Sequence, residues 1–184
     1  MLPAIDWSKS VSRDFPSRDP ERQRQSGARL GRFSDGLQTD WDTPRRDDWV
    51  AGLERAVAAA EGPVVLAAHS LGCALVAHWA GASRHSSKVR GALLVAPSDV
   101  EAPSYPAGTV GFAPMPLARL PFPSIVVMST DDEYVRPPRA AHFARAWVSR
   151  LVDAGAKGHI NSSSGLRGWP EGFALLEELR APRE

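Results

Sequence analysis

Three residue types that together can activate a hydroxyl nucleophile occur at separated positions in this chain. Ser70 is followed by a pair of aspartates, Asp131 and Asp132, and then by His159. A serine hydroxyl is a weak nucleophile until an imidazole accepts its proton, and the imidazole needs a carboxylate to fix its tautomer and stabilise its charged form. These residue types predict acyl-transfer chemistry at Ser70, with either aspartate as the acid and His159 as the base.

The residues around Ser70 predict a sharp turn from a strand into a helix. Residues 64–68 form an apolar run of strand length, and residues 73–80 are rich in helix-compatible types. Such a turn projects the hydroxyl above the sheet and aims the backbone N–H of Leu71 at the oxyanion that forms during attack. Small residues are needed two positions before and after the serine, where this chain has Ala68 and Gly72. The alternative is that Ser70 only caps the helix.

The remaining histidines and the single cysteine have simpler interpretations. Adjacent residues in a tight turn point apart, so His69 is expected to form a wall of the site. His78, His85 and His142 fit packing or surface positions. Cys73 is expected to pack the helix against the sheet, with a redox role as the less favoured alternative.

The acid and the base can meet Ser70 only if the fold brings three loops together. Strands are predicted at residues 89–95, 124–129 and 151–153, and helices from Asp47 or Asp48 to about residue 62, from 137 to between 147 and 150, and over 170–179. Strands that alternate with helices predict a mainly parallel sheet covered on both faces. In such a sheet the loops after the strands meet at one edge.

A proline-rich loop separates the second and third of these strands. Loops of this length often form lids or binding surfaces. We therefore take Tyr105, Phe112 and Met115 as candidates for lining a substrate pocket, with a purely structural cover over the core as the alternative.

Composition excludes several function classes. The chain has 184 residues, a formal charge of +1 and one cysteine, which fits one globular domain without a disulfide and gives no general attraction to nucleic acid or membranes. Motifs of the HExxH, CxxC, GxGxxG and GxxxxGK[ST] types are missing from the sequence, so neither a metal nor a nucleotide cofactor is expected. We expect a cytoplasmic protein, and the excess of Arg over Lys suggests a bacterial one.

The first 37 residues differ in character from the rest. Between Asp6 and Asp40 no two adjacent residues are apolar, and arginines alternate with Ser, Asp and Pro. We expect residues 1–37 to be a poorly ordered arm and residues 38–184 to be the folded domain. Binding of nucleic acid by this arm is disfavoured by its interspersed acids, and an altered reading frame is a further alternative.

Residues 38–180 resemble the small serine hydrolases of the retinoblastoma-binding protein nine and YdeN type, a compact branch of the α/β-hydrolases. The resemblance rests on ordered motifs: Asp40-Trp41-Asp42-Thr43-Pro44, His69-Ser70-Leu71-Gly72-Cys73, Val95-Ala96-Pro97, Leu120-Pro121-Phe122-Pro123-Ser124, Asp132-Glu133-Tyr134, Gly158-His159-Ile160-Asn161 and Trp169-Pro170-Glu171-Gly172. It implies a three-layer sandwich with a mainly parallel sheet, whose first strand is missing or altered here.

The resemblance also implies roles for individual residues. Ser70 would be the nucleophile, His159 the base and Asp132 the acid, because the family acid stands two positions before a tyrosine; Glu133 replaces the usual intervening proline. The glycine-rich loop that supplies the family's second oxyanion donor is not found in residues 1–37.

The implied activity is hydrolysis of a small ester, thioester or amide through an acyl-enzyme. The alternatives are an inactive relative that binds a ligand or protein partner through the same cleft, and the non-functional product of a disrupted reading frame.

Overall fold

Four strands form a parallel sheet in the part of the chain that the computed structural model describes, residues 40, 42–166 and 168–181. The strands lie in chain order: β1 (Val64–His69), β2 (Val89–Val95), β3 (Ser124–Met128) and β4 (Arg150–Asp153). Each neighbouring pair is parallel, so the carboxyl ends of all four lie along one edge.

Helices cover both faces of this sheet. The helices are α1 (Arg46–Ala59), α2 (Leu71–Ala82), α3 (Pro137–Trp147) and α4 (Pro170–Arg180). Buried side chains of α1, α2 and α3 form a hydrophobic cluster with one face, and those of α4 form a second cluster with the other. The prediction of a three-layer α/β fold with a mainly parallel sheet is confirmed in this part of the chain.

The two clusters follow from the alternation of side chains along a strand. In β2, Ala92 and Leu94 belong to the first cluster, whereas Leu93 and Val95 belong to the second. Successive side chains of a strand point to opposite faces, so a strand covered on both sides needs an unbroken apolar run. The apolar run at residues 92–96, which follows Arg90 and Gly91 in β2, therefore identifies a strand covered on both faces.

The start of α1 differs from the sequence prediction. Asp47 and Asp48 were expected to cap this helix, but Arg45 occupies the N-cap position and makes no side-chain capping hydrogen bond. The backbone N–H of Arg46 instead donates to the carbonyl oxygen of Val110, at 2.9 Å. Both aspartates lie within the first turn, where a negative charge interacts favourably with the helix dipole.

Two glycines allow α4 to pack closely. A Cβ atom at Gly91 would lie 2.8 Å from Cδ2 of Leu179, so the helix approaches β2 closely because a side chain is missing there. A Cβ atom at Gly172 would lie 2.1 Å from the Trp169 ring, which therefore occupies the space that a larger residue would need.

Two predictions on the N-terminal segment cannot be compared with this fold. The poorly ordered arm over residues 1–37 and the missing or altered first strand both lie outside the described residues. Within the described ranges, no helix combines the length and the apolar character needed to cross a membrane.

Candidate active site

Ser70 lies at the turn between β1 and α2, in a strained backbone conformation. Its φ and ψ are 56° and −123°, a combination that residues other than glycine rarely adopt. The turn is held by its own backbone, because the N–H of Ser70 donates to the carbonyl oxygen of Val95 at 3.0 Å. This conformation matches the predicted elbow, and Ser70 makes no side-chain cap hydrogen bond to α2.

His159 joins Ser70 to Asp132. Its Nε2 atom lies 2.8 Å from Oγ of Ser70, and its Nδ1 atom lies 2.9 Å from each carboxylate oxygen of Asp132. The Asp132 side chain is fully buried, and the His159 side chain is 7% exposed. Gly158, with a φ of +55°, turns the chain immediately before the histidine. The structure thus brings together the serine, histidine and second aspartate singled out in the sequence.

Asp131 has different partners from Asp132. Its Oδ1 atom accepts hydrogen bonds from the Ser129 hydroxyl at 2.8 Å and from the Gly158 backbone N–H at 2.7 Å. These hydrogen bonds, that from Ser129 first, lower the pKa of the Asp131 carboxyl from its usual value. Asp131 therefore holds the loop that carries His159, whereas Asp132 contacts the imidazole ring.

Ser98 also contacts the Ser70 hydroxyl, although the sequence analysis assigned it no role. The two Oγ atoms are 2.7 Å apart, and Ser98 has no exposed surface. Ser98 follows β2, the direct neighbour of β1. A search for polar residues just after the strand next to the elbow could have found Ser98.

Two aromatic side chains lie against the His159 ring. The His69 ring is 4.7 Å from it, and Nε2 of His69 lies 2.7 Å from the His159 carbonyl oxygen. The Tyr134 ring is 4.4 Å away, and the Tyr134 backbone N–H donates to Oδ1 of Asp132. The structure thus places His69 against the base, and its role as a wall of the site stays a prediction. Both neighbours restrict the orientation of the imidazole.

The predicted oxyanion donor Leu71 is the first residue of α2. The N–H groups of a first helical turn lack partners within the helix, and the helix dipole favours negative charge there. Leu71 is therefore placed where its N–H could stabilise an oxyanion on a substrate attached to Ser70. The predicted lack of a second donor from residues 1–37 concerns a segment outside the described residues.

The remaining pocket candidates occupy different surroundings. Tyr105 is partly buried against the first cluster, and burial raises the pKa of its hydroxyl to about 12. Phe112 and Met115 are both buried in the cluster beneath the sheet, and the Phe112 ring packs edge-on against Trp49 at 5.6 Å. Their role as pocket residues stays a prediction.

The described residues contain neither a reactive thiol nor a group of metal-binding side chains. Burial raises the pKa of the Cys73 thiol far above its usual value, and its Sγ lies 3.4 Å from the Val95 carbonyl oxygen. Among the described residues, no group of three or more His, Cys, Asp or Glu side chains could hold a metal ion.

Comparison with known structures places this arrangement among the hydrolases. A YdeN-like hydrolase from Pectobacterium atrosepticum is similar with a TM-score of 0.65 and 28% identity, over 78% of this chain and 73% of that one. The ydeN gene product of B. subtilis is similar in fold, with a TM-score of 0.63 and 18% identity over 76% and 77% of the two chains. No curated protein shows a significant sequence match.

A family model decides the relationship. The model described as "Serine hydrolase" matches residues 21–178, most of the chain and a wider span at the N-terminal side than the sequence motifs covered. Together with the parallel sheet and the YdeN-like relatives, this match shows that the chain belongs to the serine hydrolase family, as a YdeN-type member of the α/β-hydrolase superfamily.

Proposed function

We propose that this protein hydrolyses a small ester, thioester or amide through an acyl-enzyme on Ser70, with His159 as general base and Asp132 as the triad acid. The observation that supports this proposal best is that one ring nitrogen of His159 contacts Ser70 Oγ while the other contacts the buried Asp132 carboxylate. One nitrogen can then accept the serine proton while the other donates to the carboxylate.

The proposed reaction has two stages. Oγ of Ser70 bonds to the substrate carbonyl carbon as Nε2 of His159 accepts the hydroxyl proton, and His159 then gives that proton to the departing alcohol, thiol or amine. Water next attacks the acyl-enzyme, with His159 accepting one of its protons. Release of the carboxylic acid returns that proton to Ser70.

Stabilisation of the oxyanion is assigned to the N–H of Leu71. The substrate oxygen gains negative charge in both tetrahedral intermediates, and a backbone donor at a helix start is fixed before the reaction begins. The strained φ of Ser70, 56°, supports this role because it turns the hydroxyl and the following N–H toward the same end of the helix.

Active-site labelling with a fluorescent fluorophosphonate tests the proposal. The wild-type chain should be labelled, and Ser70→Ala and His159→Ala should both abolish labelling, the first by removing the nucleophile and the second by removing its base. Ser87→Ala, at an exposed serine of a short 3-10 helix, is the matched control and should label like the wild type.

Thermal unfolding of each variant separates lost chemistry from lost folding. A wild-type chain that unfolds cooperatively but is not labelled would overturn the catalytic proposal and favour an inactive binding protein. Labelling that persists in Ser70→Ala would show that the reactive serine lies elsewhere.

A further inference from the structure

The hydrogen-bond directions around Ser70 are fixed by the Asp132 carboxylate. An ionised carboxylate only accepts hydrogen bonds, so Nδ1 of His159 carries a proton and donates it to Asp132. In the neutral imidazole Nε2 is then an acceptor, and the only proton that Ser70 can offer goes to it, over 2.8 Å.

Ser98 must consequently be the donor in its contact with Ser70. The two Oγ atoms are 2.7 Å apart, and a hydroxyl has one proton to give. Since the Ser70 proton is directed to His159, the Ser98 proton must be directed to Ser70.

Ser98, Ser70, His159 and Asp132 therefore form one chain in which every hydroxyl or ring N–H donates toward the carboxylate. Ser98, where this chain begins, has no exposed surface, so its hydroxyl is shielded from water.

The loop that carries Ser98 is held on both sides. The N–H of Asp99 donates to the Tyr134 carbonyl oxygen at 3.0 Å, and the Asp99 carboxylate pairs with Arg139 of α3 at 3.1 Å. Arg139 also pairs with Glu101. Ser98 is therefore a preorganised donor rather than a side chain that happens to pass close to Ser70.

We propose that Ser98 is a further catalytic residue, which donates to Oγ of Ser70 and keeps the Ser70 O–H directed at Nε2 of His159. The proposal rests on the proposed function at Ser70. Without Ser98, the Ser70 hydroxyl gains orientations that do not point to His159, so the rate of the chemical step should fall while the affinity for a small acyl compound is unchanged.

Inactivation kinetics with a fluorophosphonate test this chain of donors. Ser98→Ala should lower the first-order inactivation rate at saturating reagent by about five- to tenfold, the size of one neutral hydrogen bond, with little change in the half-saturating concentration. Ser98→Cys, which keeps the size of the side chain but offers only a weak S–H donor, should lose a similar part of the rate.

Ser124→Ala is the matched control. Ser124, which is buried, and Ser149, which is partly buried, form another serine pair, with their Oγ atoms 2.6 Å apart, away from the contacts of Ser70. This variant also loses a serine–serine hydrogen bond, and it should be inactivated at the wild-type rate. Thermal unfolding checks each protein, and Ser98→Cys, which leaves no cavity, tests the Ser98 donor if Ser98→Ala does not fold.

The outcomes distinguish this inference from the proposed function. Labelling of the wild type with unchanged rates in Ser98→Ala and Ser98→Cys would overturn the role of Ser98 and leave catalysis at Ser70 intact. Equal losses in Ser98→Ala and in the Ser124→Ala control would show that the effect does not come from the contact with Ser70, and would also overturn the role of Ser98. A folded but unlabelled wild type would overturn both proposals.

Discussion

Asp131 contacts the backbone of Gly158, the residue before His159, and not the imidazole itself. Its Oδ1 atom accepts the Gly158 N–H at 2.7 Å, while both oxygens of the adjacent Asp132 lie 2.9 Å from Nδ1 of His159. Two neighbouring carboxylates thus hold the same histidine. Asp131 binds the backbone of the loop before it, and Asp132 binds its ring. Substitution of each by asparagine separates the two roles.

Asp132→Asn should reduce the labelling and esterase rates by about 10³- to 10⁴-fold, because an amide that donates to Nδ1 holds His159 in the wrong tautomer. Asp131→Asn keeps an oxygen that can accept from Gly158, so its loss should stay below about tenfold. Labelling rates of the two variants provide the measurement. A larger loss in Asp131→Asn than in Asp132→Asn would reverse the assignment of the acid.

Away from the candidate active site, the carboxylate of Glu54 joins α1 to the end of α2. Its oxygens accept hydrogen bonds from Trp79 Nε1 at 2.6 Å and from the Ser83 hydroxyl at 2.6 Å, and Nδ1 of His85 lies 2.7 Å away. Partial burial acts to raise the pKa of Glu54, but the hydrogen bonds, led by that from Ser83, outweigh it and lower the pKa to about 2. A surface cavity of about 410 Å³ borders this cluster.

The lowered pKa of Glu54 predicts a pH-dependent stability. A folded-state pKa below the usual 4.5 means that the contribution is fully present above that pH and is lost as the pH falls toward about 2. Glu54→Gln should therefore be less stable than the wild type by about 1–2 kcal/mol at neutral pH, and the difference should shrink at about pH 3.

Urea unfolding at the two pH values measures this difference. Glu61→Gln, which changes an exposed glutamate just after α1, is the control and should leave stability almost unchanged. A wild-type advantage over Glu54→Gln that is as large at about pH 3 as at neutral pH would contradict the prediction.

Much of the sheet could be predicted because its strands are apolar on both faces. Residues 89–95 were predicted as a strand and form β2 over the same range. Residues 92–95 are all apolar, as a strand covered on both sides requires. The start of α1 could not be predicted in this way. It depends on a hydrogen bond from Arg46 to Val110, a contact between segments far apart in the chain.

In the candidate site, too, residues marked by a local sequence pattern could be predicted, whereas a residue placed only by contacts between distant segments could not. Ser70 lies at a recognisable strand-to-helix turn, and the order of the later strands pointed to Asp132 and His159. Ser98 was missed because a serine after Val95-Ala96-Pro97 carries no motif of its own. Its contact with Ser70 follows from the register, in which His69 pairs with Val95 at the ends of β1 and β2.

Cys73 should be unreactive in the folded protein. It has no exposed surface, and burial raises the pKa of its thiol, so very little thiolate is present at neutral pH. A thiol reagent such as DTNB should modify it only as fast as the protein unfolds, and rapidly in urea. Fast modification of the native protein would contradict the structure.

Two helical glycines should respond in opposite ways to alanine. At Gly172 in α4 the new Cβ would lie 2.1 Å from the Trp169 ring, too close for any real contact, so Trp169 or the helix must move. At Gly81 in α2 a Cβ meets nothing within 4 Å. Alanine there gains helix propensity without a clash.

Gly172→Ala should accordingly destabilise the protein by about 1–3 kcal/mol, as overpacking of a close contact does, whereas Gly81→Ala should be neutral or stabilising by up to about 1 kcal/mol. Urea unfolding of both variants beside the wild type measures the contrast. Because α4 packs on the face of the sheet that also holds Ile160, next to His159, Gly172→Ala should in addition slow labelling of Ser70. Equal effects of the two substitutions would show that the Trp169 contact does not limit the packing of α4.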